Sequence, residues 1–285
     1  MITRPSVGYE LLDSGGEEKL ERFGNVILRR PDPQALWEKG SNHEVWGKAE
    51  GTFVREGGEG KWTLKSSVPK EWLIKLDGLS FLIRPTSFKH TGVFPEQLSN
   101  WEWTKETIHN AGREVSVLNL FGYTGGATLA AAQAGASVTH VDASKTAVAW
   151  ARENAAASGL ADKPIRWITE DVLVFVKREI KRGTKYDAII MDPPAFGHGP
   201  GGELWKIEDD LLPLIELCSH LLSDKPLFIV MNGYAAGYSP LAFAYNLEPF
   251  TRKLGGEIEY GDLMIQEAKG ERSLPCGIFA RWRAS

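Results

Sequence analysis

The feature that most constrains the fold is a glycine-rich turn placed directly after a buried strand. The run Val117-Leu118-Asn119-Leu120 is almost wholly apolar, and Phe121-Gly122-Tyr123-Thr124-Gly125-Gly126 follows it at the start of a helical pattern. About 20 residues after Gly122, a second apolar run ends at Asp142. This spacing is typical of a βαβ unit that binds a nucleoside cofactor, with the acid on the ribose hydroxyls. The glycines do not follow G-x-G-x-x-G, which disfavours a dinucleotide.

Strands and helices alternate from Pro95 to the end of the chain. The predicted strands are 115–121, 137–142, 165–169, 186–191, 226–231, 256–266 and 274–283, and the predicted helices are 96–111, 126–134, 144–158, 172–182, 207–222 and 239–254. Repeated βα units predict an α/β fold with a mostly parallel, Rossmann-like sheet covered by helices on both faces. The last two strands have no helix between them, which predicts an antiparallel hairpin at one edge.

Residues 1–85 differ from the rest and predict a small β-rich domain, which leaves 86–285 as the second domain. Short alternating segments at 26–30, 51–55 and 62–65 indicate strands, and Asp77-Gly78 indicates a hairpin turn. Basic residues are interleaved with tryptophans here, and they form either an RNA-facing surface or an ordinary solvated β face. These basic residues are Arg29, Arg30, Lys48, Lys61, Lys65, Lys70 and Lys75.

The composition is that of an ordinary globular protein. The chain has 285 residues, of which 42% are hydrophobic and 25% charged, and its net charge of -4 lacks the basic field common in nucleic-acid binders. No apolar run approaches the roughly 20 residues that span a bilayer. Two distant cysteines and an N-terminus without an apolar core favour a cytoplasmic protein without disulfides. No His, Cys or Asp cluster has metal-ligand spacing.

Acidic residues follow successive predicted strands. Asp142 is suited to bind the ribose hydroxyls, or to cap the next helix together with Ser144. Asp171 is suited to accept a hydrogen bond from an adenine amine while Val172 packs on the ring, and an N-cap is its other interpretation. Asp192 ends the fourth strand of the series. This regularity favours one ligand site at the carboxyl ends of the strands.

The segment Asp192-Pro193-Pro194-Ala195-Phe196 carries the predicted chemistry. Its two prolines fix the backbone and remove two donors, so that the Asp192 side chain and nearby carbonyls are the acceptors for a base N–H. Phe196 is suited to stack on that base. We therefore predict that Asp192, Pro193, Pro194 and Phe196 hold and align the target. The glycine-rich stretch 197–202 is either a lid or a surface loop.

Together these motifs indicate S-adenosylmethionine chemistry, and the chain resembles the ribosomal-RNA large-subunit methyltransferases of the cytosine-C5 and guanine-N7 type. The matching segments are 119–126, 141–144, 151–154, 170–172, 191–196 and an upstream Thr91-Gly92-Val93-Phe94-Pro95-Glu96-Gln97. The resemblance implies a seven-stranded methyltransferase sheet, S-adenosylmethionine as donor, S-adenosylhomocysteine as product and RNA as substrate. The cofactor contacts that we expect are Lys89, Thr91, Gly92, Phe94, Gln97, Phe121, Gly122, Tyr123, Thr124, Gly125, Gly126, Asp142, Ala143, Ser144, Asn154, Asp171, Val172 and Asp192.

Three departures from that family change the expected reaction. We expect no PUA domain of the kind common in the family within residues 1–85, and Leu98 replaces an arginine that the family places on the cofactor's carboxylate. The end of the fifth strand and the residues after it, 228–234, lack the cysteine nucleophile of the cytosine-C5 enzymes. Attack by a nitrogen with its own lone pair, such as guanine N7 or an amine, fits better.

Several alternatives remain open at the level of sequence. The net acidity favours a methyltransferase for a small molecule or a protein side chain. A non-catalytic cofactor- or RNA-binding module is a further alternative, suggested by Leu98. A nicotinamide oxidoreductase is disfavoured by the glycine spacing. We expect a monomer or a homodimer.

Overall fold

The computed structural model describes residues 1–40, 43–56, 59–87, 89–234 and 237–285. They form two compact units, one of Met1–Ser99 with Leu263–Cys276 and the other of Asn100–Asp262 with Gly277–Ser285. The domain boundary at residue 85 stays a prediction. No helix in the described part of the chain combines the length and the apolar character needed to cross a membrane.

The first unit is rich in β-structure, in agreement with the alternation of its sequence. The described residues before Ser99 include a short α-helix, α1 His43–Trp46, and a 3-10 helix, Pro95–Gln97. Their strands are β1 Ile2–Thr3, β2 Tyr9–Gly15, β3 Glu18–Phe23, β4 Val26–Pro31, β5 Gly51–Glu56, β6 Glu59–Leu64, β7 Trp72–Leu76 and β8 Leu79–Ile83. Strands β2 to β6 form a sheet in chain order, and β7 pairs with β8. The β7–β8 turn is at Asp77 and Gly78, both with positive φ, as the Asp-Gly pair predicts.

Charged side chains lie inside the first unit, which changes the interpretation of its basic residues. Arg30 is 6% exposed and donates from Nε and Nη2 to the carboxylate of the buried Glu21, at 2.7 and 2.8 Å. Arg29 is paired with Glu18 at 2.6 Å. These two arginines are therefore engaged within the unit. The exposed members of the predicted basic set are Lys48, Lys61, Lys65, Lys70 and Lys75.

The second unit contains the alternating α/β pattern that the sequence predicts. Its elements are α2 Leu98–Asn110, β9 Ser116–Leu120, α3 Gly126–Gln133, β10 Ser137–Asp142, α4 Lys145–Ala157, β11 Ile165–Thr169, α5 Val172–Arg182, β12 Ala188–Met191, β13 Phe196–His198, β14 Leu204–Lys206, α6 Ile207–Ser219, β15 Phe228–Gly233, α7 Pro240–Leu254, β16 Glu257–Gln266 and β17 Ser273–Arg283. Helix α2 begins one residue before this unit, and parts of β16 and β17 belong to the first unit.

The main sheet has eight strands rather than the seven expected, in the order β1, β16, β17, β15, β12, β9, β10, β11. Strands β15, β12, β9, β10 and β11 are parallel, whereas β17 is antiparallel to β15. The mostly parallel sheet is confirmed. The last strand, β17, lies between β15 and β16 in the sheet and pairs with β15.

Apolar layers cover both faces of this sheet. One cluster joins Leu118 of β9 to residues of α5, α6 and α7, and the other joins Val117 of the same strand to residues of α2 and α3. Neighbouring residues of a strand point to opposite faces, so both faces are buried. Between β12 and α6, strands β13 and β14 form a hairpin that we did not predict, and the glycine-rich stretch 197–202 comprises the end of β13 and most of the connection 199–203.

Candidate cofactor and substrate site

Four parallel strands bring the predicted site loops of the second unit together. In register, Leu120 of β9 is opposite Val141 of β10 and Met191 of β12, and Asp142 is opposite Thr169 of β11. The carboxyl ends of the four strands therefore lie side by side. The glycine loop 121–126, Asp142, Asp171 and Asp192 follow these ends, as predicted for a ligand site in an open parallel sheet.

The glycine loop is a tight turn in left-handed backbone conformations. Phe121 and Tyr123 have φ values of 55° and 45°, unusual for residues with side chains, and Gly125 has a φ of 92°. The Gly122 amide donates to the carbonyl of Val141 at 3.0 Å. A Cβ at Gly122 would lie 2.5 Å from two ring atoms of His140. Gly122 is thus required for packing against β10, whereas Gly125 is required for its backbone angle.

Asp142 fixes the loop from the neighbouring strand. Its carboxylate accepts from the backbone N–H of Tyr123 and from that of Ser144, both at 2.8 Å. Ser144, which comes after Ala143, is the N-cap of α4 and accepts from the Ala147 amide at 3.2 Å. Burial raises the pKa of Asp142, and the two backbone bonds act against that shift. Because each carboxylate oxygen has two lone pairs, further hydrogen bonds to hydroxyl groups are feasible.

Asp171 has the capping role that its sequence position predicts. Its side chain accepts from the Val174 amide at 3.0 Å and so caps α5. Val172 is 2% exposed and belongs to the apolar core under the sheet. Asn154 is buried and donates to the carbonyl of Thr124 at 2.9 Å, which holds the glycine loop from α4. The proposed contacts of these residues with a cofactor remain proposals.

A buried polar trio, which the sequence analysis did not single out, lies beneath the glycine loop. His140 of β10 is fully buried, and its Nδ1 is 2.9 Å from the hydroxyl of Thr128 in α3. Thr128 in turn accepts from the amide of Asn119 in β9 at 2.8 Å. The trio thus links the two strands and the helix that flank the loop. A histidine among apolar residues of a buried strand, as in Val138-Thr139-His140-Val141, was the signal available in the sequence.

The Asp-Pro-Pro loop leaves β12 and is fixed through its carbonyl groups. The indole Nε1 of Trp205 donates to the carbonyl of Pro194 at 2.7 Å, and the Ile207 amide donates to the carbonyl of Ala195 at 3.1 Å. Phe196 begins β13, and its side chain is 55% exposed. The loop therefore has a fixed path and an aromatic ring available to a ligand.

Neither cysteine of the chain is suited to be a nucleophile of this site. Cys218 is fully buried in α6, and burial raises the pKa of its thiol to about 12. Cys276 lies in the first unit, where burial raises the pKa of its thiol well above the usual value. A thiol attacks as its thiolate, so neither side chain supplies one near neutral pH.

At the end of β15, Asn232 accepts from the amide of Asn100 at 2.9 Å.

The upstream segment with the other predicted cofactor contacts belongs to the first unit. Arg30 donates to the carbonyl of Lys89 at 2.9 Å, and the Lys89 ammonium donates to the carbonyl of Pro31 at 3.3 Å. Thr91 and Gln97 are buried, and Phe94 packs on His90 with ring centroids 5.4 Å apart. Gly92 has a φ of 99°. Arg30, which is paired with the buried Glu21, therefore holds the start of the segment at Lys89, and contact of the segment with the cofactor stays a prediction.

The residues at the carboxyl ends of β9 to β12 fit S-adenosylmethionine. Asp142 offers a half-buried carboxylate for the ribose hydroxyls, and the loop offers backbone groups rather than a phosphate-binding arrangement. Asp171 offers a carboxylate at the end of the next strand, whereas the Val172 side chain is buried in the core. When bound, this cofactor supplies a methyl group activated by the sulfonium.

The chain is similar to known methyltransferases. The family model of S-adenosylmethionine-dependent methyltransferases matches residues 54–238. A crystal structure of the SAM-dependent methyltransferase from Agrobacterium tumefaciens superposes with a TM-score of 0.95 at 42% sequence identity, and covers 100% of this chain and 94% of that chain. The SMU.776 structure, complexed with S-adenosylhomocysteine, has a TM-score of 0.71 at 21% identity, with 97% of this chain and 75% of the other covered, which shows a common fold.

A curated relative matches a smaller region. The ribosomal RNA large subunit methyltransferase K/L of Shewanella sp. (strain MR-4) is 32% identical over 158 residues. These are 54% of this chain and 22% of the relative, so the match spans about a fifth of that protein's length.

The family match decides among the alternatives of the sequence analysis. It includes the glycine loop, Asp142, Asp171 and the Asp-Pro-Pro loop, and it spans more than half of the chain. An enzyme is thereby favoured over a non-catalytic module, and S-adenosylmethionine over a nicotinamide. The chain belongs to the S-adenosylmethionine-dependent methyltransferase family, and the protein is an enzyme that uses this cofactor.

Proposed function

We propose that the enzyme methylates a base nitrogen in RNA, with ribosomal RNA as the substrate, by direct in-line transfer without a cysteine nucleophile. The observation that carries this proposal is the half-exposed ring of Phe196 at the end of the Asp-Pro-Pro loop. An aromatic ring in this position is suited to stack on a base that has left its helix. The adjacent glycine loop supports a target close to the cofactor.

The hydrogen-bond acceptors of the Asp-Pro-Pro loop suit it to align the target base with the methyl group. Pro193 and Pro194 have no N–H, and Trp205 already occupies the carbonyl of Pro194. Among the hydrogen bonds of the described residues, none uses the Pro193 carbonyl. We assign this carbonyl and the Asp192 carboxylate to the target's N–H groups, so that the nitrogen lone pair points at the methyl carbon. Alignment of this kind supplies much of the rate in an in-line displacement.

The cofactor contacts are part of the same proposal. In the second unit they are the loop 121–126, Asp142, Ala143, Ser144, Asn154, Asp171, Val172 and Asp192. In the first unit they are Lys89, Thr91, Gly92, Phe94 and Gln97, which rest on the family resemblance of their segment alone. The ribosomal RNA methyltransferase relatives support an RNA substrate, although the match spans only 22% of the first of them.

One observation favours a second candidate, a methyltransferase for a protein side chain or a small molecule. Four acidic residues lie in and after the β13–β14 hairpin, at Glu203, Glu208, Asp209 and Asp210, against one cation, Lys206. A polyanion approaching this surface meets negative charge, whereas a cationic substrate is attracted to it. The methyl-transfer assay described next therefore includes a fraction of ribosomal proteins as a possible acceptor.

The test measures transfer of labelled methyl groups to unmodified ribosomal RNA transcribed in vitro, and identifies the methylated nucleoside by mass spectrometry. We expect an N-methylated base, with kcat lowered about a hundredfold in Asp192→Asn because the target loses an alignment contact. The matched control is Asp162→Asn, an exposed aspartate of the same unit, which should retain wild-type kcat. Label in ribosomal proteins but not in RNA would contradict the proposal and support the second candidate.

A further inference from the structure

Trp205 attaches the β13–β14 hairpin to the second unit. The hairpin pairs Phe196 with Lys206, Gly197 with Trp205 and His198 with Leu204. Phe196, His198, Leu204 and Lys206 are exposed, whereas Trp205 is 4% exposed and belongs to the core cluster of the sheet. Residues of a strand alternate between two faces, so the inward face of this hairpin consists of one indole opposite a glycine.

The same indole touches both loops of the site. Its Nε1 donates to the Pro194 carbonyl at 2.7 Å, within the Asp-Pro-Pro loop. Its ring makes an edge-to-face contact with Phe121, the first residue of the glycine loop, with centroids 4.8 Å apart. Phe121 is held at a φ of 55°, so its ring position depends on the conformation of that loop.

We propose that Trp205 is a positioning residue that couples the cofactor loop to the substrate hairpin, so that cofactor binding orders the hairpin before the target arrives. This inference rests on the proposed function in one respect, the assignment of the Asp-Pro-Pro loop to the binding of the substrate. A ligand that restricts the loop 121–126 restricts Phe121, and with it the indole and the Pro194 carbonyl. A two-stranded hairpin has little stability of its own, so the loss of the Nε1–H bond of its buried indole loosens it.

Hydrogen–deuterium exchange of the full-length protein, with and without S-adenosylhomocysteine, tests the coupling and needs no methyl acceptor. In wild type we expect the ligand to slow amide exchange both in 119–128 and in 195–206, by about tenfold in the hairpin. Trp205→Phe keeps an aromatic ring and removes the Nε1–H. It should bind the ligand within about twofold of wild type and protect 119–128, but lose the protection of 195–206.

Trp282→Phe is the matched control. Trp282 is also buried in the core cluster of the sheet, and its Nε1 donates to the Gly255 carbonyl at 2.8 Å. This variant loses the same kind of bond and should retain the coupling, so a difference between the two variants reflects the site rather than general stability. If Trp205→Phe fails to fold, Phe121→Leu breaks the contact from the other side and should also uncouple the two segments.

The outcomes separate the inference from the function. Protection of 119–128 without protection of 195–206 in wild type would overturn the coupling, and so would retained coupling in Trp205→Phe. Failure to methylate RNA leaves both results unchanged and counts only against the proposed substrate.

Discussion

At the scale of single residues, His140 is the side chain whose ionisation depends most clearly on burial. It lies between Thr128 and the ring of Trp167, whose centroid is 4.9 Å from its own. Burial lowers the pKa of His140 to about 3, so the imidazole is neutral at physiological pH. Its Nδ1 shares one hydrogen bond with the Thr128 hydroxyl, which also accepts from the Asn119 amide.

The depressed pKa of His140 predicts a pH dependence of stability. In the unfolded chain the pKa of a histidine is about 6.5, whereas in the native state the pKa of His140 is about 3. Between these two pH values, unfolding is therefore accompanied by the uptake of one proton. This contribution is fully present above pH 6.5 and falls by about 1.4 kcal/mol per pH unit as the pH decreases. In His140→Asn, which keeps a polar group facing Thr128, the slope of the free energy of unfolding between pH 6 and 4 should decrease by about that amount.

Urea denaturation at a series of pH values measures this slope. The control is His109→Gln, an exposed histidine at the end of α2, which should leave the slope of wild type unchanged. A slope in His140→Asn equal to that of wild type would show that the native imidazole is protonated more easily than its burial indicates.

At the scale of elements, the glycine loop between β9 and α3 depends on close packing against β10. A Cβ at Gly122 would lie 2.5 Å from Cε1 and Nδ1 of His140, and real contacts are not this short. Gly122→Ala therefore forces the loop away from β10 and strains the hydrogen bond from Gly122 to Val141. We expect calorimetric titration to show affinity for S-adenosylhomocysteine at least about tenfold lower, and a loss of about 1–3 kcal/mol in stability.

The control for this variant is Gly261→Ala in β16. A Cβ there meets only Phe279, at 3.5 Å, which is an ordinary van der Waals distance. This variant should retain both affinity and stability. Wild-type affinity in Gly122→Ala would mean that the loop does not need its contact with β10 to bind the cofactor.

Elements with a regular apolar pattern and clear caps could be predicted from the sequence. Helix α5 begins and ends where predicted, because Asp171 caps its start and Gly183, with a φ of 69°, ends it. Strand β11 also has its predicted bounds. Strands β10, β11 and β12 end where predicted and β9 ends one residue earlier, since each apolar run ends at a loop that begins with a glycine turn or an acid.

Elements that bury charge or consist of few apolar residues could not be predicted. Strand β3 was not predicted because it buries the charged residues Lys19 and Glu21. Their partners, Asp32 and Arg30, are too distant in sequence to indicate that these charges are paired. The β13–β14 hairpin escapes it because a single indole, Trp205, supplies its inward face. The site is therefore predictable in its loops, but not in the contacts that hold them.

At the scale of the whole molecule, the chain does not divide at one point. The first unit takes its first 99 residues from the N-terminus and 14 more from near the C-terminus, at Leu263–Cys276. Within this unit, the Ser14 amide and hydroxyl donate to the carboxylate of Glu267 at 3.0 and 2.6 Å, and the Ala268 amide donates to the Leu11 carbonyl at 2.7 Å. The C-terminal segment thus depends on partners from the first 15 residues.

This arrangement predicts that residues 86–285 alone do not form a stable protein, although the sequence pattern changes near residue 85. Without residues 1–85, the segment Leu263–Cys276 loses its strand partner β1 and exposes Leu263, Ile265 and Leu274, each at most 1% exposed in the full chain. Exposed apolar strands with unpaired edges promote aggregation. Expression of 86–285 beside the full chain, with circular dichroism and thermal unfolding, measures this. We expect an insoluble or non-cooperative fragment, whereas a soluble fragment with a cooperative transition near that of the full chain would show that the second unit folds without the first.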